Sequence, residues 1–133
     1  MSRKLSNTEL VEHAYAAWNA DDLDAMLAFC HPEATFIPSG VFPGMQSGYR
    51  GQEGVRRWWE DFHEPWRQIK VIPERLAERV DGVDILIRFE GLGRDGIEAT
   101  MRFVNSIEVR DGLLYSLVGR PSDEETLRQL GLD

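Results

Sequence analysis

The side chains best suited to acid–base, nucleophilic or metal chemistry are three histidines, His13, His31 and His63, and one cysteine, Cys30. The histidines lack metal-ligand spacing, and a lone cysteine excludes both an intrachain disulfide and a cysteine-based zinc cage. No serine lies in a nucleophile elbow, so a Ser–His–acid triad has no local signature. Gly91-Leu92-Gly93-Arg94-Asp95-Gly96 has the glycine spacing of a phosphate loop. No helix follows it, so it reads as a hairpin turn. His13 and His63 fall off the apolar stripes of their helices, and His31 precedes Pro32 at a helix end. His13 and His63, like the Glu60-Asp61 pair, read as surface. The sequence therefore predicts no metal and no nucleotide cofactor, and it offers no evident catalytic residue.

What remains is a few polar side chains set in apolar rows. Asn105 interrupts the row Ile97, Ala99, Met101, Phe103, Ile107. It is either a core amide satisfied by backbone or a hydrogen-bonding group aimed into a cavity. Arg120 ends a strand in which Leu114, Ser116 and Val118 share its face, with Leu113, Tyr115 and Leu117 on the other. It either reaches the same cavity as Asn105 or pairs with Asp123 or Glu124. Trp18, Phe36, Tyr49, Trp58, Trp59, Phe62, Trp66 and Phe103 include every tryptophan of the chain. Several of these rings must pack the core. Such a density of rings beside a few polar groups also describes an apolar small-molecule site. Asn105, Arg120 and Tyr49 are its polar candidates, with Trp18, Phe36, Trp58, Phe62, Met101 and Phe103 as walls.

Positioning these residues requires helices first and strands after. Ser6-Asn7-Thr8-Glu9 has the capping-box form, and Leu10, Val11, Ala14, Ala17 and Trp18 follow at helical spacing. A second short helix carries Leu23, Met26, Leu27 and Cys30 and stops at His31-Pro32. A short strand is expected over 34–37, then a long loop over 38–51 containing Pro38, Gly40, Pro43, Gly44, Gly48 and Gly51. The third helix presents Val55, Trp58, Trp59, Phe62 and Trp66, with Pro65 near its end. Strands are predicted over 71–80, 83–90, 97–109 and 113–120, Pro73 marking an edge or a bulge and Asp111-Gly112 a tight turn. Pairing Phe89 with Ile97 sets Arg88 opposite Glu98 and Asp84 opposite Arg102, two opposite-charge pairs. Ser122-Asp123-Glu124-Glu125 opens a terminal helix. Three helices followed by a four-stranded antiparallel run point to an α+β fold.

Composition bounds the partners. The chain has 133 residues, the size of one domain spanning 1–133. Its net charge of −8 disfavours nucleic acid and anionic membrane surfaces. The N-terminus, Met1-Ser2-Arg3-Lys4-Leu5, has no signal-peptide core, and no apolar run reaches membrane-spanning length. A reduced cysteine fits a cytoplasmic location. The last strand is apolar on both sides, so one sheet face must be covered by something other than the N-terminal helices. A second copy of the chain, docking on Leu113, Tyr115, Leu117 and Val104, is the expected cover.

The order of elements resembles the SnoaL-like (polyketide-cyclase-like) family of the nuclear-transport-factor-like, or ketosteroid-isomerase-like, superfamily. Its carriers are Ala14 through Asp24, His-Pro-Glu-Ala-Thr-Phe at 31–36, Tyr-Arg-Gly-Gln-Glu-Gly-Val at 49–55, and Met-Arg-Phe at 101–103 leading to Arg-Asp-Gly-Leu at 110–113. The resemblance implies a cone in which a curved, mostly antiparallel sheet wraps around the three N-terminal helices, with a short C-terminal helix and an apolar pocket at the wide end. Relatives include cyclases, isomerases, dehydratases, hydrolases and non-catalytic modules, so chemistry must come from the site. The general base of ketosteroid isomerases falls at Pro38, their second oxyanion donor at Asn105, and their helix-one tyrosine at Ala14 beside Tyr15, which makes Tyr15 a further candidate ligand contact. Without the base, ketosteroid isomerisation is not expected. Two readings follow: a protein or enzyme that takes an apolar carbonyl- or carboxylate-bearing ligand, or a non-catalytic dimeric binding or assembly module.

Overall fold

The computed structural model describes residues 4–40, 42 and 44–133. Met1, Ser2 and Arg3 of the expected leaderless terminus, and Pro43 of the expected loop, lie outside the described residues. The elements run α1 (Asn7–Asn19), α2 (Leu23–Ala28), β1 (Cys30–Ile37), β2 (Tyr49–Arg50), α3 (Gly51–His63), β3 (Trp66–Arg79), β4 (Gly82–Gly93), β5 (Glu98–Arg110), β6 (Leu113–Arg120) and α4 (Glu124–Leu130). The six strands form one open sheet in the order β2-β1-β6-β5-β4-β3, antiparallel except where β1 meets β6. The helices and the concave sheet face together make an α+β cone.

The helix starts follow the expected chemistry. The Ser6 hydroxyl accepts from the Glu9 backbone N–H at 3.1 Å, and Glu9 accepts from the Ser6 N–H at 3.1 Å. Asp22 caps α2 by accepting from Ala25 N–H at 3.0 Å. α1 buries Leu10, Val11, Ala14, Ala17 and Trp18. Its last residue, Asn19, fastens it to β3: the amide donates to Val71 O at 2.8 Å and accepts from Val71 N–H at 3.0 Å.

Three boundaries differ from the sequence reading. β1 begins at Cys30 because its backbone is recruited by β6, and Pro32, with no N–H to offer, lies in the irregular stretch between Cys30 and Thr35. The expected loop is shorter, since Tyr49 and Arg50 pair with Phe36 and Thr35. Trp66 leaves the face of α3 and opens β3, its indole lying where a side chain at Gly91 would stand, 2.7 Å from that Cβ position. Pro73 sits both on the edge strand and next to a bulge, as expected.

The β4–β5 register also differs. Ile97 belongs to the turn and is 66% exposed, so Phe89 faces Met101, Arg88 faces Arg102, and Asp84 faces Ser106. Arg88 and Arg102 share Glu74, at 3.8 and 2.7 Å. Asp84 is buried and pairs with Arg79 at 3.0 Å. On β6, an irregularity opposite Glu108 and Val109 leaves Tyr115 outside the pairing. Leu114 and Leu117 therefore both enter the core. On the convex face, Leu86, Val104 and Leu132 form a second cluster with Leu127 and Leu130 of the C-terminal segment. Val104, expected at a subunit contact, is thus covered by this chain's own α4. No helix among the described residues is long and apolar enough to cross a membrane.

Candidate functional site

Between α1, α3 and the concave sheet lies a cavity of about 50 Å³. Its walls are mostly rings. Trp18 from α1 has its ring centre 4.9 Å from Trp58 and 5.0 Å from Phe62 of α3. Phe103 closes the sheet side. Phe42 descends from the loop between β1 and β2 to meet Phe62 at 4.6 Å, Phe89 at 4.9 Å and Phe103 at 5.2 Å. Sequence reasoning missed Phe42. Its only signal was a large ring inside a Gly- and Pro-rich loop, where rings otherwise have no reason to be buried.

The polar content is small. Asn105 Nδ2 donates to the Tyr15 hydroxyl oxygen at 2.8 Å, and both residues line the cavity. Burial pushes the Tyr15 phenol well above its usual range, opposed in part by the Asn105 hydrogen bond, so Tyr15 is a donor at neutral pH and not a base. The Trp18 indole N–H and the Ser39 hydroxyl are buried without hydrogen-bond partners among the described residues, and both residues also line the cavity. Pro38, where the resemblance would require a base, lines the cavity and has no ionisable side chain. Among the described residues no carboxylate, histidine or lysine lines this space, and no group of three could hold a metal ion.

Of the candidates from sequence, Tyr15, Trp18, Trp58, Phe62, Phe103 and Asn105 meet at the cavity. Four do not. Phe36 lies behind Trp58, edge-on at 4.8 Å. Met101 packs at the core margin. Tyr49 accepts from Gln46 N–H at 2.8 Å and donates to Asp61 at 2.7 Å, fastening the loop end to α3. That bond also gives Asp61 a structural partner that a solvated face would not have. Arg120 pairs across the ladder with Val104, the residue before Asn105, and donates to the Ser106 hydroxyl at 2.8 Å. It therefore stands on the convex side. The irregularity at Tyr115 does not alter the alternation over 116–120, but it shows that face assignment on β6 could not be carried from one row to the next.

His63 is also not at the surface in the simple sense. It stacks on Trp59 at 4.6 Å, and its Nδ1–H donates to Trp59 O at 2.7 Å. His31 lies in β1 with Nε2 3.3 Å from Asp111. Burial pushes the Cys30 thiol up to about 12, which removes it as a nucleophile at neutral pH.

A cone of this topology enclosing an apolar, ring-lined space has the NTF2-like α+β fold. Residues 11–117 match the SnoaL-like domain, and the chain belongs to that family. No curated protein sequence matches it. Among solved structures it is similar to an NTF2-like protein from Burkholderia pseudomallei, with a TM-score of 0.80 at 21% identity over 95% of this chain and 98% of that one. It is similar to TerC, crystallised with polyporic acid, with a TM-score of 0.77 at 22% identity over 93% and 96%. A Mycobacterium tuberculosis protein in complex with estradiol-17β-hemisuccinate aligns with a TM-score of 0.72 at 19% identity over 85% and 91%. At these identities the likeness is one of fold.

Proposed function

We propose that the cavity binds a small, largely apolar molecule through a carbonyl or carboxylate oxygen, with Tyr15 as hydrogen-bond donor and Asn105 as the group that orients it. The observation that carries this reading is the 2.8 Å bond from Asn105 Nδ2 to the Tyr15 oxygen. Because that oxygen accepts from Asn105, the phenolic proton is left to be given elsewhere. A donor held this way among apolar rings pays little reorganisation on meeting an oxygen, which is the requirement for polarising a carbonyl. The unpartnered Trp18 N–H adds a further donor. A cavity of about 50 Å³ holds about three or four water-sized groups, so a larger ligand is accommodated by repacking of the lining rings. TerC and the mycobacterial relative, crystallised with polyporic acid and with a steroid hemisuccinate, support an apolar, oxygen-bearing ligand.

The reaction this wall supports is electrophilic activation without a protein base. Proton abstraction of the ketosteroid isomerase kind has no residue to perform it at Pro38. The remaining convex surface, where Ile37 is 45% exposed, is read as the seat of a second copy of the chain, which sedimentation at micromolar concentration tests. The ligand reading is tested by quenching of tryptophan fluorescence with acetophenone, comparing wild type with Tyr15→Phe, Asn105→Leu and Arg120→Ala. The first two should weaken binding about 3- to 10-fold, one hydrogen bond's worth, and Arg120→Ala should leave it unchanged. Equal affinities for all four proteins would refute the assignment.

A further inference from the structure

Ser39 stands where the chain leaves β1 and turns back over the concave face. Its place depends on Gly119: a Cβ there would fall 2.3 Å from the Ser39 backbone nitrogen, 2.7 Å from its Cα and 2.8 Å from its Cβ. Only a residue without a side chain lets Ser39 rest against β6. Gly119 is in turn the ladder partner of Asn105, and such partners stand about 4.5–5.5 Å apart between Cα atoms. Ser39 is thereby held beside Asn105, and both line the cavity. Asn105 donates to the Tyr15 oxygen, which leaves the phenolic proton for a ligand. The Ser39 hydroxyl is buried and has no hydrogen-bond partner among the described residues, an arrangement that is costly to leave unpaired.

We propose that Ser39 is a second polar contact of the cavity, receiving a second ligand oxygen next to the one held by Tyr15. The proposal rests on the ligand-binding role of Tyr15 and Asn105 argued above. A hydroxyl both donates and accepts, so Ser39 takes a ligand hydroxyl or a carbonyl. Tyr15 and the Trp18 indole offer protons, which favours oxygen over amine functions. The ligand class is a compact ketone with a second oxygen on the same edge, as in an α-hydroxyketone.

The test uses acetophenone and α-hydroxyacetophenone, titrated by tryptophan fluorescence against wild type, Ser39→Ala and Tyr15→Phe. Wild type should bind the hydroxyketone about 3- to 10-fold more tightly, the gain of one ordinary hydrogen bond. Ser39→Ala should erase that preference, and a far-ultraviolet circular dichroism spectrum matching wild type shows that the variant is folded. Tyr15→Phe should weaken both ligands and keep their ratio. A wild-type preference retained in Ser39→Ala overturns the Ser39 assignment alone, provided that Tyr15→Phe still weakens both. Unchanged binding in Tyr15→Phe, or a wild type that binds neither ketone, overturns the reading beneath it as well.

Discussion

Gly119→Ala puts one methyl group into the contact that seats Ser39 on the sheet. The three atoms it would meet are the Ser39 backbone nitrogen at 2.3 Å, Cα at 2.7 Å and Cβ at 2.8 Å. All three are fixed to the main chain, so no rotation of a side chain relieves the clash. Reaching ordinary contact requires the 38–39 segment or β6 to move by about 1 Å. Overpacking of this kind costs about 1–3 kcal/mol. Lower entropy of the unfolded chain returns about 0.4–1 kcal/mol, so the net loss centres on about 1.3 kcal/mol. For a domain of this size each kcal/mol corresponds to about 3–5 °C in Tm. Urea unfolding followed by circular dichroism measures the loss, and Gly48→Ala is the control, because its Cβ would meet only Phe36 O at 4.0 Å. The displaced Ser39 should also lose its preference for α-hydroxyacetophenone. A Gly119→Ala protein within about 0.5 kcal/mol of both wild type and control would show that Ser39 does not rest on β6.

Three further outcomes are expected. Arg79→Ala leaves the Asp84 carboxylate, 4% exposed, without its partner and should cost about 3–5 kcal/mol in urea unfolding. Asp84→Ala strands only an arginine that is 39% exposed and keeps Asp81, so it should cost clearly less; equal losses would contradict the asymmetry. The Cys30 thiol, buried and held up to about 12, should be inert to a thiol-specific disulfide reagent at pH 8 until urea unfolds the chain; rapid native labelling would show otherwise. Burial holds the Tyr15 proton above the ordinary phenol range, so above about pH 10 the folded state binds more protons than the unfolded one. Stability should then fall with rising pH, and Tyr15→Phe should flatten that slope between about pH 10 and 11; identical slopes would exclude the effect.

Much of the scaffold is local and was therefore legible. The Ser6 and Asp22 caps, the inward stripe from Leu10 to Trp18, the Trp58–Phe62 face and the apolar row containing Asn105 depend on spacing within one element, where period and side-chain direction are coupled. Local pattern also marked Asn105 as a polar residue facing inward, but not its partner: the Tyr15 hydroxyl lies 90 positions away. The phase between strands is not local. Turn length set Phe89 against Met101 instead of Ile97, and the irregularity at Tyr115 admitted both Leu114 and Leu117 to the core. Arg120 was assigned to the cavity because alternation along β6 cannot by itself say which side is concave. Ser39 and Phe42 had no periodic element to reveal them; their burial depends on Gly119 making room and on three phenylalanine rings from separate elements. Sequence alone thus determined which residues share a face within α1 and along β5, but not across the irregularity on β6 or at Trp66. Folding decided which faces meet, because that choice depends on contacts between segments far apart in the chain.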